Sequence, residues 1–131
     1  MGSVLGAPGT GWQRQCAGTL AAALTDGSMA AAVVDKPDGS GLAACGVGMV
    51  ALRLPGPSCL DGRYGYVQSM VTDEGHRRQG LARVVFEALM DWFAEQGVTR
   101  VDLHASAMGE PLYRQYGFTE HREPELRWRA G

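Results

Sequence analysis

Three consecutive segments between residues 64 and 106 constrain this chain most. Tyr64 to Val71 alternates like a strand, Leu81 to Glu95 has helical spacing, and Thr99 to Ser106 reads as a second strand. Leu81, Val84, Val85, Ala88, Leu89 and Trp92 form one wide apolar stripe on the helix. A strand, a long helix and another strand close as a crossover, so the two strands are expected to run parallel. Period-2 alternation puts Tyr64, Tyr66, Gln68 and Met70 on one face of the first strand. Gly65, Val67, Ser69 and Val71 fall on the other.

The flanking segments fill in around this unit. Trp12, Cys16, Leu20 and Leu24 recur at fourfold spacing and predict a helix that Gly27 closes. Met29 to Asp35 and Leu42 to Leu54 are strand-like and are separated by the turn-rich residues 36–41, which predicts an antiparallel hairpin. Gly46 and Gly48 weaken the second of these strands and are expected to mark a bulge. Glu110 to Tyr116 is a short helix, with Pro111 at its start and Gly117 at its end. Phe118 to Glu120 and Leu126 to Trp128 are expected to form a closing antiparallel pair. The class is α/β (α+β), a mixed and mostly antiparallel sheet with a central parallel βαβ unit and helices on both faces. The chain of 131 residues fits one domain, residues 11–131, behind a flexible leader at residues 1–10.

Composition narrows the partners. A formal net charge of −2 argues against nucleic acid and against an anionic membrane surface as ligands. No apolar run is long enough to span a bilayer, and the start lacks the basic segment of a signal peptide. Cys16, Cys45 and Cys59 are odd in number and lack metal-type spacing, so neither a disulfide framework nor a metal is expected. The cytoplasm is the expected location.

The turn between the first strand and the helix, Val71 to Ala82, carries the chemistry. Backbone N–H groups at a helix start have no intrahelical acceptor, and the helix dipole adds positive potential there. Gly80 has no Cβ to keep a ligand from the backbone, and Arg77, Arg78 and Arg83 add charge. These residues read as a pyrophosphate cradle. A second pattern, Tyr113-x-x-x-Gly117-Phe118, follows the crossover. It arises by chance only on the order of once per ten thousand positions, so its place downstream of the cradle is informative. The Gly-x-Gly-x-x-Gly spacing of a dinucleotide-binding Rossmann unit is missing.

In these motifs the sequence resembles the GNAT superfamily of N-acetyltransferases. Arg77-Arg78-Gln79-Gly80-Leu81-Ala82 is similar to its acyl-CoA pyrophosphate loop, and Leu112-Tyr113 with Gly117-Phe118 to its C-terminal signature. The resemblance implies a sheet that splays open between the 64–71 and 99–106 strands, with the pantetheine arm in the gap. It implies acetyl-CoA as cosubstrate, held by Met70, Val71, Thr72, Arg77, Arg78, Gln79, Gly80, Leu81, Ala82, Arg83 and Ser106. Tyr113 is implied as the general acid. An amide near Val71 is expected to polarise the thioester carbonyl. Two features depart from the family pattern. A glycine-rich leader stands where a first strand is usual, and the 64–71 strand lacks the glutamate that often serves as base.

The expected reaction is direct transfer of an acetyl group to a primary amine, in a small molecule or at a peptide N-terminus. The alternative is an acyl-CoA-binding module or sensor with little turnover. His104, Glu110 and Asp61 are the candidate bases. His104, on a strand among apolar alternating partners, is read first as a hydrogen-bonded packing residue. Ser106 serves equally as a pantetheine contact or as the cap of the short helix. A homodimer is expected from the C-terminal strand and exposed aromatics.

Overall fold

The helical stripe between residues 81 and 95 becomes the spine of the fold. In the computed structural model, which describes residues 12–121 and 123–131, it forms α2 (Leu81–Glu95). Before it come α1 (Trp12–Asp26), β1 (Met29–Asp35), β2 (Leu42–Leu52) and β3 (Arg63–Thr72). After it come β4 (Val101–Leu103) and α3 (Glu110–Gln115). The expected leader, residues 1–10, lies outside the described residues. The sheet order is β1-β2-β3-β4. β1, β2 and β3 pair antiparallel, and β3 pairs parallel with β4, as the crossover requires.

Glycines let α2 lie close on the sheet. A Cβ at Gly65 would stand 2.6 Å from the Phe93 ring, and one at Gly48 would stand 2.9 Å from it. The ring therefore fills a trough that only hydrogen side chains leave open. Phe86, Val85, Leu89 and Phe93 are the largest fully buried side chains, all from one face of α2. Val67, Ala44, Val98 and Tyr113 complete the same cluster. Ala43, Cys45 and Val47 alternate with the residues facing α2 and are buried too, so both faces of β2 are covered. The ends of α2 and α3 close as that of α1 does at Gly27. Gly97 and Gly117 adopt positive φ, and the next residues, Val98 and Phe118, donate their amides to Phe93 and Tyr113. These are Schellman caps, which satisfy carbonyls the helices leave open.

The bulge expected at Gly46 is present, but the inserted residue is on β3. Cys45 faces Val71 while Val47 faces Gln68, so β3 spends one extra residue there. Ser69 takes φ 53° at this point. The extra residue shifts the alternation. Met70 leaves the Tyr64–Tyr66–Gln68 face assigned to it and packs its sulfur over Gly46, where a Cβ would be 2.5 Å away. Gly46 is thus the residue that admits the bulge, and the glycines in β2 answer to packing.

Two sequence expectations are corrected. The strand expected over 99–106 pairs only through Val101–Leu103, opposite Gly65–Val67. Ser106 is committed to the next turn, its carbonyl accepting from the amides of Gly109 and Glu110. β3 runs on to Thr72 against β2, so the sheet opens between β3 and β4 beyond Val67. The closing pair of Phe118–Glu120 with Leu126–Trp128 does not form; no strand follows Leu103 among the described residues. The three-residue edge at β4 offers little ladder, and Pro124 lacks a donor. Leu126 and Trp128 remain exposed.

Candidate functional site

The turn after β3 is anchored before it is opened. Asp73 accepts from the amide of Gly75 (3.3 Å) and from His76 Nδ1 (3.0 Å). Lys36 Nζ, from the β1–β2 turn, is 3.6 Å from the same carboxylate. The hydrogen bond from His76, with Lys36 and the Gly75 amide behind it, holds the Asp73 carboxyl below its ordinary pKa. One side chain therefore ties the loop to the neighbouring hairpin.

Beyond this anchor the chain turns left-handed twice, at Arg78 (φ 66°) and at Gly80 (φ 74°). Gly80 is the residue before α2 and takes this conformation without strain. Val84 is the first amide of α2 to be bonded within the chain, to the Gly80 carbonyl at 3.2 Å. Among the described residues, the amides of Arg78 to Arg83 meet no protein acceptor, and no side chain caps the helix. A row of donors at the positive end of a four-turn helix can receive an anion.

The side chains divide. Arg77, Arg78 and Gln79 are exposed, and neither arginine has an ion-pair partner among the described residues. Leu81 and Ala82 are partly buried at the helix start. Arg83 is turned elsewhere: its Nη1 donates to Tyr116 Oη at 3.0 Å and its Nη2 to Gln115 Oε1 at 2.5 Å. Only its amide stays with the turn. Val71 is exposed, Thr72 is half-buried opposite Ala44, and Met70 belongs to the core. Ser106 Oγ accepts from the Gly109 amide at 3.1 Å, a contact within the preceding turn; the N-cap of α3 is Gly109, and no side chain caps that helix.

Tyr113 comes from α3 and is buried between aromatic neighbours, 5.2 Å from the Phe86 ring centroid and 6.2 Å from that of Phe118. Burial pushes its phenol pKa up. Its hydroxyl has no protein partner among the described residues, yet no buried side-chain oxygen there lacks one. The hydroxyl must therefore reach solvent at the pocket wall. A single point beside Gly109 lies 3.3 Å from both that hydroxyl and Ser106 Oγ.

An open groove runs along the β3–β4 gap, lined by Tyr64, Tyr66, Gln68, His104, Tyr113 and Glu125. The turn at Arg77–Arg83 is outside it, so the two features are separate. His104 is not the packing residue expected. Its side chain is 58% exposed, and it bridges Tyr66 Oη, at 2.6 Å from Nδ1, to the Glu125 carboxylate at Nε2. Burial, then the charge of Glu125, raises the Tyr66 phenol pKa. The other candidate bases are engaged: Glu110 with Arg114 (2.7 Å) and Asp61 with the Arg63 amide (2.9 Å). Glu125 escaped sequence reasoning because it fell in the connection between two expected strands, and no local pattern links it to a histidine 21 residues earlier.

The chain is similar in sequence and fold to known proteins. The model of the Acetyltransferase (GNAT) family matches residues 11–118, and the chain belongs to that family. It is 34% identical over 92 residues to an uncharacterized N-acetyltransferase, YsnE, of Bacillus subtilis (strain 168), covering 66% of this chain. The chain spans about half the length of that curated relative, 54%. Among solved structures, it is similar to a GCN5-related N-acetyltransferase from Ralstonia eutropha JMP134, with 30% identity and a TM-score of 0.76. That match covers 88% of this chain and 75% of the other. A predicted acetyltransferase from Clostridium acetobutylicum, determined with acetyl-CoA, has a TM-score of 0.80 at 22% identity, covering 92% and 78% of the two chains. At that identity the likeness is one of fold.

Proposed function

We propose that this protein transfers an acetyl group from acetyl-CoA to a primary amine by direct attack in a ternary complex. The observation that carries this reading is the row of amides from Arg78 to Arg83 with no acceptor among the described residues, set at the head of α2 beside a parting sheet. In this reading those amides hold the pyrophosphate, with Arg77 and Arg78 adding charge and Gly80 leaving room. The helix dipole supplies only about 0.3–1 kcal/mol at an exposed end, so several charge-assisted hydrogen bonds must supply most of the affinity. The pantetheine then follows the gap past Val71 and Thr72 toward Ser106.

The departing thiolate needs a proton, and Tyr113 is the group with a free hydroxyl there. A thiol near 8.5 and a phenol near 10 differ by about 2 kcal/mol, and burial widens the difference. That cost is tolerable because the proton moves as the C–S bond breaks. Burial also keeps the proton on Tyr113 until it is needed. The acceptor amine is the harder problem, since a lysine-like amine costs about 4–5 kcal/mol to deprotonate at pH 7.

A thiol-release assay with acetyl-CoA and a panel of primary amines tests the reading. Tyr113→Phe is expected to lower kcat about a hundredfold with coenzyme A affinity and melting temperature unchanged. Tight coenzyme A binding with no thiol release for any amine would instead make the protein a sensor.

A further inference from the structure

β3 carries no carboxylate to serve as a base, yet the groove it lines contains a chain of three titratable groups. A carboxylate only accepts hydrogen bonds, so His104 Nε2 must donate to Glu125. In a neutral imidazole Nδ1 then has no proton and must accept, so the Tyr66 hydroxyl donates to it. The Tyr66 oxygen is left with its lone pairs for a ligand. Its position is set by the fold. Tyr66 pairs opposite Asp102, and His104 follows Leu103, the last residue to pair before the strands part. The chain of groups thus stands at the fork of the sheet, on the face of β3 turned away from α2, while the Tyr113 ring lines the same groove from the α2 side.

Building on the acyltransferase reading, we propose that Tyr66, His104 and Glu125 form the proton outlet for the acceptor amine. The acceptor enters as an ammonium and donates to the Tyr66 oxygen. One proton passes to that oxygen as the phenolic proton moves to His104 Nδ1. The products of this step are a neutral amine, an intact phenol and an imidazolium held by Glu125. The nitrogen lone pair then forms the C–N bond, and the C–S bond breaks with its electron pair on sulfur. The thiolate takes the Tyr113 proton, and the nitrogen's second proton, lost as the amide forms, restores Tyr113 through solvent. The net product is one proton, which leaves from the exposed imidazole. Tyr66 touches the acceptor, whereas His104 relays and Glu125 positions.

The charges around the imidazole are otherwise matched. Glu125 and Asp102 are the acids that act on Tyr66, Asp102 being paired with Arg100 at 3.3 Å. Arg53, stacked over Tyr64 at 4.1 Å, and Arg127 are the bases nearest to Glu125 and Tyr66. On the α3 side, Glu110 is held by Arg114. Among the described residues, Glu125 is the carboxylate that bonds the imidazole.

Two amines of similar shape separate a proton outlet from a scaffold: benzylamine, an ammonium at neutral pH, and aniline, already neutral. With His104→Gln, kcat/KM for benzylamine is expected to fall about a hundredfold while that for aniline stays within about threefold. The acidic limb of the benzylamine pH profile should move with it, and Glu125→Gln should give a smaller loss with the same selectivity. Equal losses for both amines, or no loss, would overturn the outlet while leaving the acyltransferase reading intact. Wild-type protein that acetylates neither amine would sink both. A readout that needs no variant is the ¹⁵N spectrum of His104 at alkaline pH in the whole protein. The Nε2–H tautomer is expected, and the Nδ1–H tautomer would contradict the relay.

Discussion

The turn at the head of α2 and the groove beyond β4 are built in opposite ways. The turn is made of main chain: two left-handed residues, Arg78 and Gly80, and a row of amides in one stretch of sequence. The groove is made of side chains brought from β3, from the end of β4 and from the C-terminal segment. A main-chain site changes little when its side chains vary, and it suits a ligand part that is always the same. A side-chain site is easily altered, and it suits the part of a reaction in which relatives differ. The two sites share one floor, the α2 face resting on Gly46, Gly48 and Gly65.

The largest expected effect removes that floor. Phe93→Ala empties the trough between Gly48 and Gly65 and should cost about 3–5 kcal/mol, read by chemical denaturation. Stability of a domain is only about 5–15 kcal/mol, so both regions should fail together. A variant that lost one region and kept the other would show that they do not share a support.

Gly80→Val acts on the turn alone. A Cβ there meets nothing within 4 Å, so the cost is the left-handed backbone, about 1–2 kcal/mol. Coenzyme A affinity should fall with it while the His104 tautomer stays as it was. Smaller still is the contrast between two neighbouring arginines. Arg78→Ala should weaken coenzyme A binding severalfold, about 1 kcal/mol. Arg83→Ala should leave affinity alone and lower the melting temperature slightly, because its guanidinium is spent on Tyr116 and Gln115. Calorimetric titration beside thermal melts separates the two.

The smallest effect is one of pH. The Asp73 carboxyl titrates below its unfolded value of about 3.9. Its contribution to stability is therefore complete above that value and is lost as pH falls through the lower, folded one. Asp73→Asn should flatten the acid side of the melting profile and leave the neutral side nearly level. An unchanged acid side would mean that Asp73 does not anchor the turn.

The same contrast explains what was legible in the sequence. Local rules found α2, the hairpin, the parallel crossover and the glycine stops, because each is written within a few residues. The turn could be read for the same reason. Met70 was assigned to the wrong face because a one-residue bulge resets a period-2 pattern, and nothing near Ser69 announces it. Arg83 looked like a free charge because its partners lie more than thirty residues away. His104 looked like packing because the apolar strand expected around it stops at Leu103. Its partner Glu125 lay hidden in the connection before the expected Leu126–Trp128 strand, which does not form.

Amide chemical shifts of ¹⁵N-labelled protein during a coenzyme A titration test the proposed grip on the diphosphate most directly. The amides from Gln79 to Arg83 should show the largest changes, saturating together with those lining the β3–β4 gap. Saturable binding that left these amides unmoved, with the changes confined to the groove or elsewhere, would contradict the account.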